Sequence, residues 1–289
     1  GPTLILGQDG STLRSLESDE GLLVDFVALS SDGRQLATVS PRSGASYSGL
    51  VDIWDVDTGT LSHSVELPDE FEPWSALFAD DDAVWIGGRD GNSLPTVLEI
   101  EATTGAVLGE LQHSSRPGNA VTALAISDDG RTLATGAMDR RISLWDTGTL
   151  AARPGGEFTG HRGNVTGIVF WDGGDTLISS DDAGDIVMWD VSDRRQFARL
   201  GGPTDDVTSL DLDADSATLL ASSEDGYLWT WSLDPELWRH LACQLAGRNM
   251  TQAEWEVYGD GGTRVRHCVD FPAEDGDVRD ADYSGSLTD

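Results

Sequence analysis

Apolar and polar residues alternate over short stretches of this chain, and turn-forming residues separate those stretches at regular distances. From Val121 the order VTALAIS alternates, Asp128-Asp129-Gly130 follows, then TLATGA, then RISLWD from Arg141. A period of two puts alternate side chains on one face of an extended strand, and a Gly after Asp accepts the positive φ of a tight turn. The pattern predicts a meander of short antiparallel strands. The same turn signal recurs at Ser31-Asp32-Gly33 and Trp171-Asp172-Gly173, and Asp215-Ser216 replaces it near the end.

The meander repeats. VDIWDVDTG from Val51, VLEIEATTG from Val97, ISLWDTGTL from Ile142, IVMWDVSDR from Ile186 and YLWTWSLD from Tyr227 superpose on one another. Their anchor positions are Trp54, Ile100, Trp145, Trp189 and Trp231, spaced 46, 45, 44 and 42 residues apart by subtraction. A strand unit of this size cannot bury its apolar faces alone, so successive sheets must stack face to face around an axis. The period is that of one four-stranded propeller blade.

From Leu4 to Asp234 these residues resemble the WD-repeat family of β-propellers. The resemblance implies a buried tetrad in each unit: a His before the first strand, a Ser or Thr in the second, an Asp in the next turn, and the Trp. His161 sits in FTGHRGNV at the family position, Thr135, Asp139 and Trp145 match in the third unit, and Asp225 and Trp231 match in the fifth. Trp54 and Trp189 are the anchors of the first and fourth. No unit shows an evident full set: the fourth has Ala183 where the Asp belongs, and the second has Ile100 in place of the Trp.

The expected fold is all-β, with about five blades plus a partial N-terminal blade around LILGQDGSTLRSL. The fifth unit lacks its fourth strand, and the strand around Leu13 either completes that blade in this chain or belongs to a larger ring; the leftover LIL strand has no use in a closed five-bladed ring, which favours a seven-bladed ring split by truncation. The start at Gly1-Pro2, without Met, reads as a piece of a longer protein. Residues 1–234 are then the propeller and 235–268 a helical cap. Asp234-Pro235 opens a helix with Leu237, Leu241 and Leu245 every fourth residue, and Thr251-Gln252-Ala253-Glu254 is a capping box for a second. Residues 269–289 are acidic, nearly devoid of large apolar side chains, and read as a disordered tail. The stretch LACQLAGRNMTQAEW followed by RHC resembles the ending of WD arrays in bacterial STAND-type NTPase signalling proteins, where the propeller is the sensor and the NTPase lies upstream.

Charge narrows the partners. Fifty-one acidic residues against 18 basic ones give a formal charge of -33, a repulsive field for nucleic acid and for anionic membrane. Every basic residue is Arg, which excludes a lysine nucleophile, Schiff base or P-loop lysine in this chain. No stretch approaches the roughly 18 consecutive apolar residues of a membrane helix, and the N-terminus lacks a signal-peptide layout. A cytoplasmic protein is expected.

Candidate chemistry is sparse. Cys243 and Cys268 could form a disulfide enclosing 26 residues, adding about 3 kcal/mol by loop entropy, although a bacterial cytosol would keep them reduced. With His240 and His267 they also make a conceivable zinc set, but adjacent His and Cys rarely ligate one ion. Asp211, Asp213 and Asp215 begin like a calcium loop, yet Ser216 stands where Gly is needed and Ser222 where Glu is needed. No catalytic or phosphate-cradling motif is found, so neither enzyme activity nor a cofactor is expected.

Departures from the minimal repeat cluster. The first unit inserts Pro41 to Ser48, the second Arg89 to Pro95, and the third His113 to Gly118. Loops between second and third strands and loops between blades emerge on one face of a WD propeller. Arg42, Tyr47, Arg89, His113 and Arg116 on them form a candidate rim for a protein or peptide partner, acidic or phosphorylated, or for an upstream domain. The function expected is a non-catalytic binding or sensor module at the C-terminus of a bacterial signalling protein. The rival readings are a structural scaffold and a secreted propeller enzyme.

Overall fold

The structure, a computed structural model, describes residues 23–42, 48–79 and 83–235, with isolated pieces at 3–6, 12–16, 237–238, 240, 244, 265–266 and 279–280. It is all-β, a five-bladed β-propeller.

Strands β1 (Thr3–Leu6) and β2 (Thr12–Leu16) pair antiparallel as the partial N-terminal unit. The first blade is β3 (Phe26–Leu29), β4 (Gln35–Arg42), β5 (Ser48–Asp55) and β6 (Thr60–Glu66). The second is β7 (Glu72–Phe78), β8 (Ala83–Arg89), β9 (Pro95–Glu101) and β10 (Val107–Gln112). The third is β11 (Val121–Ile126), β12 (Thr132–Ala137), β13 (Arg141–Asp146) and β14 (Ala151–Thr159). The fourth is β15 (Val165–Trp171), β16 (Thr176–Asp181), β17 (Ile186–Asp190) and β18 (Arg195–Leu200). All four are sequential antiparallel sheets. The fifth has three strands, β19 (Val207–Asp213), β20 (Thr218–Ser223) and β21 (Leu228–Ser232).

Burial follows the order of strands within a blade. First strands alternate, as in β11, where Val121, Ala123 and Ala125 are buried and their neighbours are not. Middle strands β12 and β16 are buried at all six positions, because a blade lies against each face. Outer strands such as β6 and β10 bury one residue each. Residues of the first strand of every blade, among them Val27, Ser75, Thr122, Thr166 and Thr208, line a cavity of about 410 Å³.

The apolar core lies between blades. Val51, Ile53, Ile86 and Ile100 join the first two, Trp85, Val97, Leu133 and Trp145 the second and third, and Ile142, Phe158, Leu177 and Trp189 the third and fourth. Full burial of one such aliphatic side chain contributes about 1.5 to 3 kcal/mol. Blades approach closely at several glycines: a Cβ on Gly87 would stand 2.9 Å from Val121 Cγ1, and one on Gly136 would collide with Val165.

The turns carry a repeated side-chain device. Ser30 and Ser127 donate to Asp32 and Asp129, whose carboxylates also accept the amides of Arg34 and Arg131. After the third strand, Asp55, Asp146 and Asp190 accept the amides of Thr58, Thr149 and Asp193. The Asp after the repeat Trp is thus a turn residue.

By internal contacts the chain divides into one unit of Gly1–Leu212 with Leu220–Trp229 and another of Asp213–Leu219 with Thr230–Asp289. In the second, Leu233 donates to the carbonyl of Ala217, and the backbone is helical where described at 235, 237, 238, 240 and 244. The second expected helix, Cys243 and Cys268 lie outside the described residues. So does the expected tail, except Arg279–Asp280, which pairs in parallel with Val265–Arg266.

Candidate protein-binding face

In a four-stranded meander the link between second and third strands and the link to the next blade leave from the same end of the sheet. What holds those links is a set of buried hydrogen bonds. In the fourth blade Trp189 Nε1 donates to Ser179 Oγ at 2.8 Å, Ser179 Oγ lies 2.6 Å from His161 Nε2, and His161 Nδ1 lies 3.0 Å from Asp181 Oδ2. A single order of donors satisfies the chain: indole N–H to hydroxyl, hydroxyl to Nε2, Nδ1–H to carboxylate. Asp181 also accepts the amides of Arg162, Gly163, Ala183 and Asp185. Burial by itself would raise the Asp181 pKa, but the bonds from His161 and from the Asp185 and Gly163 amides outweigh it and hold the carboxyl well below its usual range.

The fourth blade therefore has a full tetrad, contrary to the expectation from Ala183. The acid is Asp181, at the end of β16, two residues before the aligned position. The third blade brings the same four residue types together, with His113 and Asp139 in contact but not hydrogen-bonded among the described residues. His113 Nδ1 lies 2.7 Å from Thr135 Oγ1, which accepts Trp145 Nε1 at 2.9 Å, and His113 Nε2 stands 3.4 Å from Asp139 Oδ1. His113 is buried, so the rim expected from the sequence loses it. The misreading comes from spacing: His113 lies eight residues before Val121, whereas His161 lies four before Val165.

The other blades keep less. Trp54 donates to Thr38 Oγ1 at 3.0 Å in the first. In the second, Ile86 and Ile100 occupy the Thr and Trp positions and are both fully buried, an apolar replacement of the whole pair. In the fifth, Ala221 aligns with Ser179 and offers Trp231 no hydroxyl. Asp225 instead accepts Ser223 Oγ, which also receives Trp229 Nε1 at 3.2 Å. The expected tetrad roles of Asp225 and Trp231 are corrected accordingly.

Two of the three insertions meet. The amide of Gly118 donates to the carbonyl of Ser93, and that of His113 to Pro95. Arg89 is bound through Nε and its terminal nitrogen to Glu72, so its charge is balanced within the second blade. Arg116 is exposed. Arg42 closes the β4–β5 pairing opposite Ser48, with its side chain outside the described residues, as is Tyr47. A further cluster that no sequence motif signals lies in the fourth blade, where Arg162 and Arg199 both bind the buried Asp185.

Among the described residues one carboxylate trio, Asp205, Asp206 and Glu224, brings an oxygen from each within 4.8 Å of the others. The D-x-D-x-D run is the end of β19 and the turn after it, in which Asp213 accepts the amides of Asp215 and Ser216 and the Ser216 hydroxyl. No helix among the described residues is long and apolar enough to cross a membrane.

The sequence model of the WD domain, G-beta repeat, matches residues 106–146, 152–190 and 194–232. Each match begins at the outer strand of one blade and ends with the third strand of the next, so the sequence repeat and the blade are offset by one strand. The chain carries WD repeats on its five-bladed propeller. It is 36% identical over 96 residues to the target of rapamycin complex subunit LST8 of Saccharomyces cerevisiae, covering 33% of this chain and 30% of that one. With the target of rapamycin complex subunit wat1 of Schizosaccharomyces pombe it shares 29% over 141 residues, 48% of this chain and 42% of the relative. With the nuclear distribution protein nudF of Aspergillus niger it shares 28% over 165 residues, 51% and 36%. The chain spans less than half the length of each of these relatives.

Proposed function

We propose that the chain is a non-catalytic protein-binding module that docks a partner on the face where the inter-blade loops and the second-to-third-strand hairpins converge. The observation that carries this is the pair of buried histidine networks. His113 and His161 stand at the start of inter-blade loops and tie them to Thr135 and Ser179 of the sheets behind, so the loops sit on a rigid scaffold. Two relatives are named as subunits of a complex, which supports membership of an assembly. The charge of -33 favours a protein partner over nucleic acid or anionic membrane.

A narrower form of this reading places the module in the cytoplasm, as the sensor of a larger bacterial signalling protein. It rests on the stretch from Leu241 to Cys268 alone, and the full reading frame tests it: an NTPase domain upstream supports it, and its absence leaves the scaffold reading.

The docking face is tested by placing a photo-crosslinking residue at exposed Ser115, on this face, or at exposed Ser192, at the other end of the strands. In extract of the source cells, the Ser115 position should yield one reproducible protein adduct and Ser192 none. Adducts confined to Ser192, or none at either, would overturn the proposal.

A further inference from the structure

Arg116 and Arg140 stand apart from the other arginines of this face. Arg89 is paired with Glu72, Arg141 with Glu157, and Arg162 and Arg199 with Asp185. Arg116 and Arg140 are exposed, and among the described residues no carboxylate lies within 4.0 Å of either guanidinium. In a chain with 51 acidic residues, two cations left unbalanced in one place are unexpected. Both line a single cavity of about 460 Å³ over the third blade, together with Arg141, Asn119, Met138 and Asp139.

Each is also a departure from the repeat. Arg116 lies in the longer loop that separates His113 from β11. Arg140 occupies the turn position that holds Gly184 in the fourth blade and Gly226 in the fifth. Those glycines have φ of 84° and 85°, and Arg140 has φ of 68°, in the left-handed region where a side chain is strained. The third blade thus holds a strained arginine where the fourth and fifth hold glycine and the second holds Ser93 at φ of 60°, and strain retained in a turn points to use of the side chain.

We propose that this cavity is the anchor for one carboxylate side chain, an Asp or Glu on a loop of the protein partner, gripped by Arg116 and Arg140. The inference rests on the protein-binding reading above. Guanidinium groups match a carboxylate through paired N–H donors. Asp139, buried in the wall with one oxygen lacking a partner among the described residues, selects against a phosphoryl dianion, whose second charge would face it. A long acidic run would spread beyond the two cations onto a surface of the same sign. An isolated carboxylate meets neither penalty.

The test follows the Arg Nε–Hε resonances of the full chain by NMR during titration with the peptide Ac-Gly-Ser-Glu-Ser-Gly-amide. The Arg116 and Arg140 signals should move, and those of Arg131 and Arg194, at the other end of the strands, should not. The Gln version of the peptide should bind at least about tenfold more weakly, which is about 1.4 kcal/mol. Arg140→Gly, which introduces the residue of the fourth and fifth blades and so keeps the fold, should weaken the effect on the Met138 methyl at least about tenfold, and adding Arg116→Gln should abolish it. Equal binding of the Gln peptide, inorganic phosphate acting at lower concentration than the Glu peptide, or an unaltered response in the double variant would overturn the assignment. A double variant that still crosslinks its partner through Ser115 would remove the anchor and leave the docking face standing.

Discussion

Trp189 and Ser179 are joined by a 2.8 Å hydrogen bond in a fully buried setting, and the same Ser179 oxygen faces His161 at 2.6 Å. One hydroxyl therefore serves two side chains from different parts of the chain. Ser179→Ala should leave an indole N–H and an imidazole nitrogen buried without a partner. The expected loss is about 2 to 4 kcal/mol of unfolding free energy in a urea titration. Ser192→Ala, on an exposed turn, should change it by less than about 0.5 kcal/mol.

The second blade makes the converse case. Ile86 and Ile100 fill the positions of the hydrogen-bonded pair without polar atoms. Ile86→Thr brings back half of a pair whose other half is absent, and should cost about 1 to 3 kcal/mol by the same measurement. A gain in stability would show that Ile86 is not the counterpart of Thr135.

Acid should weaken the fourth blade before it weakens the second. The Asp181 pKa is lowered in the folded chain, so the unfolded chain binds its proton more readily. The stability this group contributes is complete above the ordinary carboxylate pKa of about 3.9, and is lost as pH falls from there through the lower folded value. Asp139 is shifted in the same direction and adds to the trend. Asp181→Asn should be less stable at pH 7 and show a flatter decline of the urea midpoint between about pH 4 and pH 2. A decline as steep as that of the parent chain would assign the acid sensitivity to other groups.

Close approach of blades should make Gly136 intolerant of a methyl group. A Cβ there meets the Val165 side chain of the next blade, whereas at Gly201 nothing lies within 4 Å. Gly136→Ala is expected to cost about 1 to 3 kcal/mol, and Gly201→Ala to be neutral within about 0.5 kcal/mol. Thermal melts of the two variants in parallel decide it.

Arg140→Gly should stabilise the chain by about 1 kcal/mol, because glycine accepts the φ of 68° that strains an arginine. A more stable variant with a weaker response to the Glu peptide would separate the two roles of this residue in one experiment.

The local order of this chain was legible in its sequence because local order depends on neighbours along the strand. Alternation over VTALAI, the Asp-Gly turns and the spacing of Trp54, Ile100, Trp145 and Trp189 correspond to β11, to the observed hairpins and to the third strands of four blades. The tetrads were legible only in part. Thr135, Asp139, Trp145 and His161 are at the expected positions, but a fixed offset from the Ser or Thr misses Asp181, and a fixed offset from the first strand misses His113. Tertiary structure decided those, since a hydrogen bond depends on where side chains end in space, and an Asp at either of two turn positions, or a His on a loop of either length, can reach the same partner. It likewise decided which arginines are balanced. Residue types show that Arg89, Arg116 and Arg140 carry charge; only packing shows that Glu72 neutralises the first while the other two share one cavity.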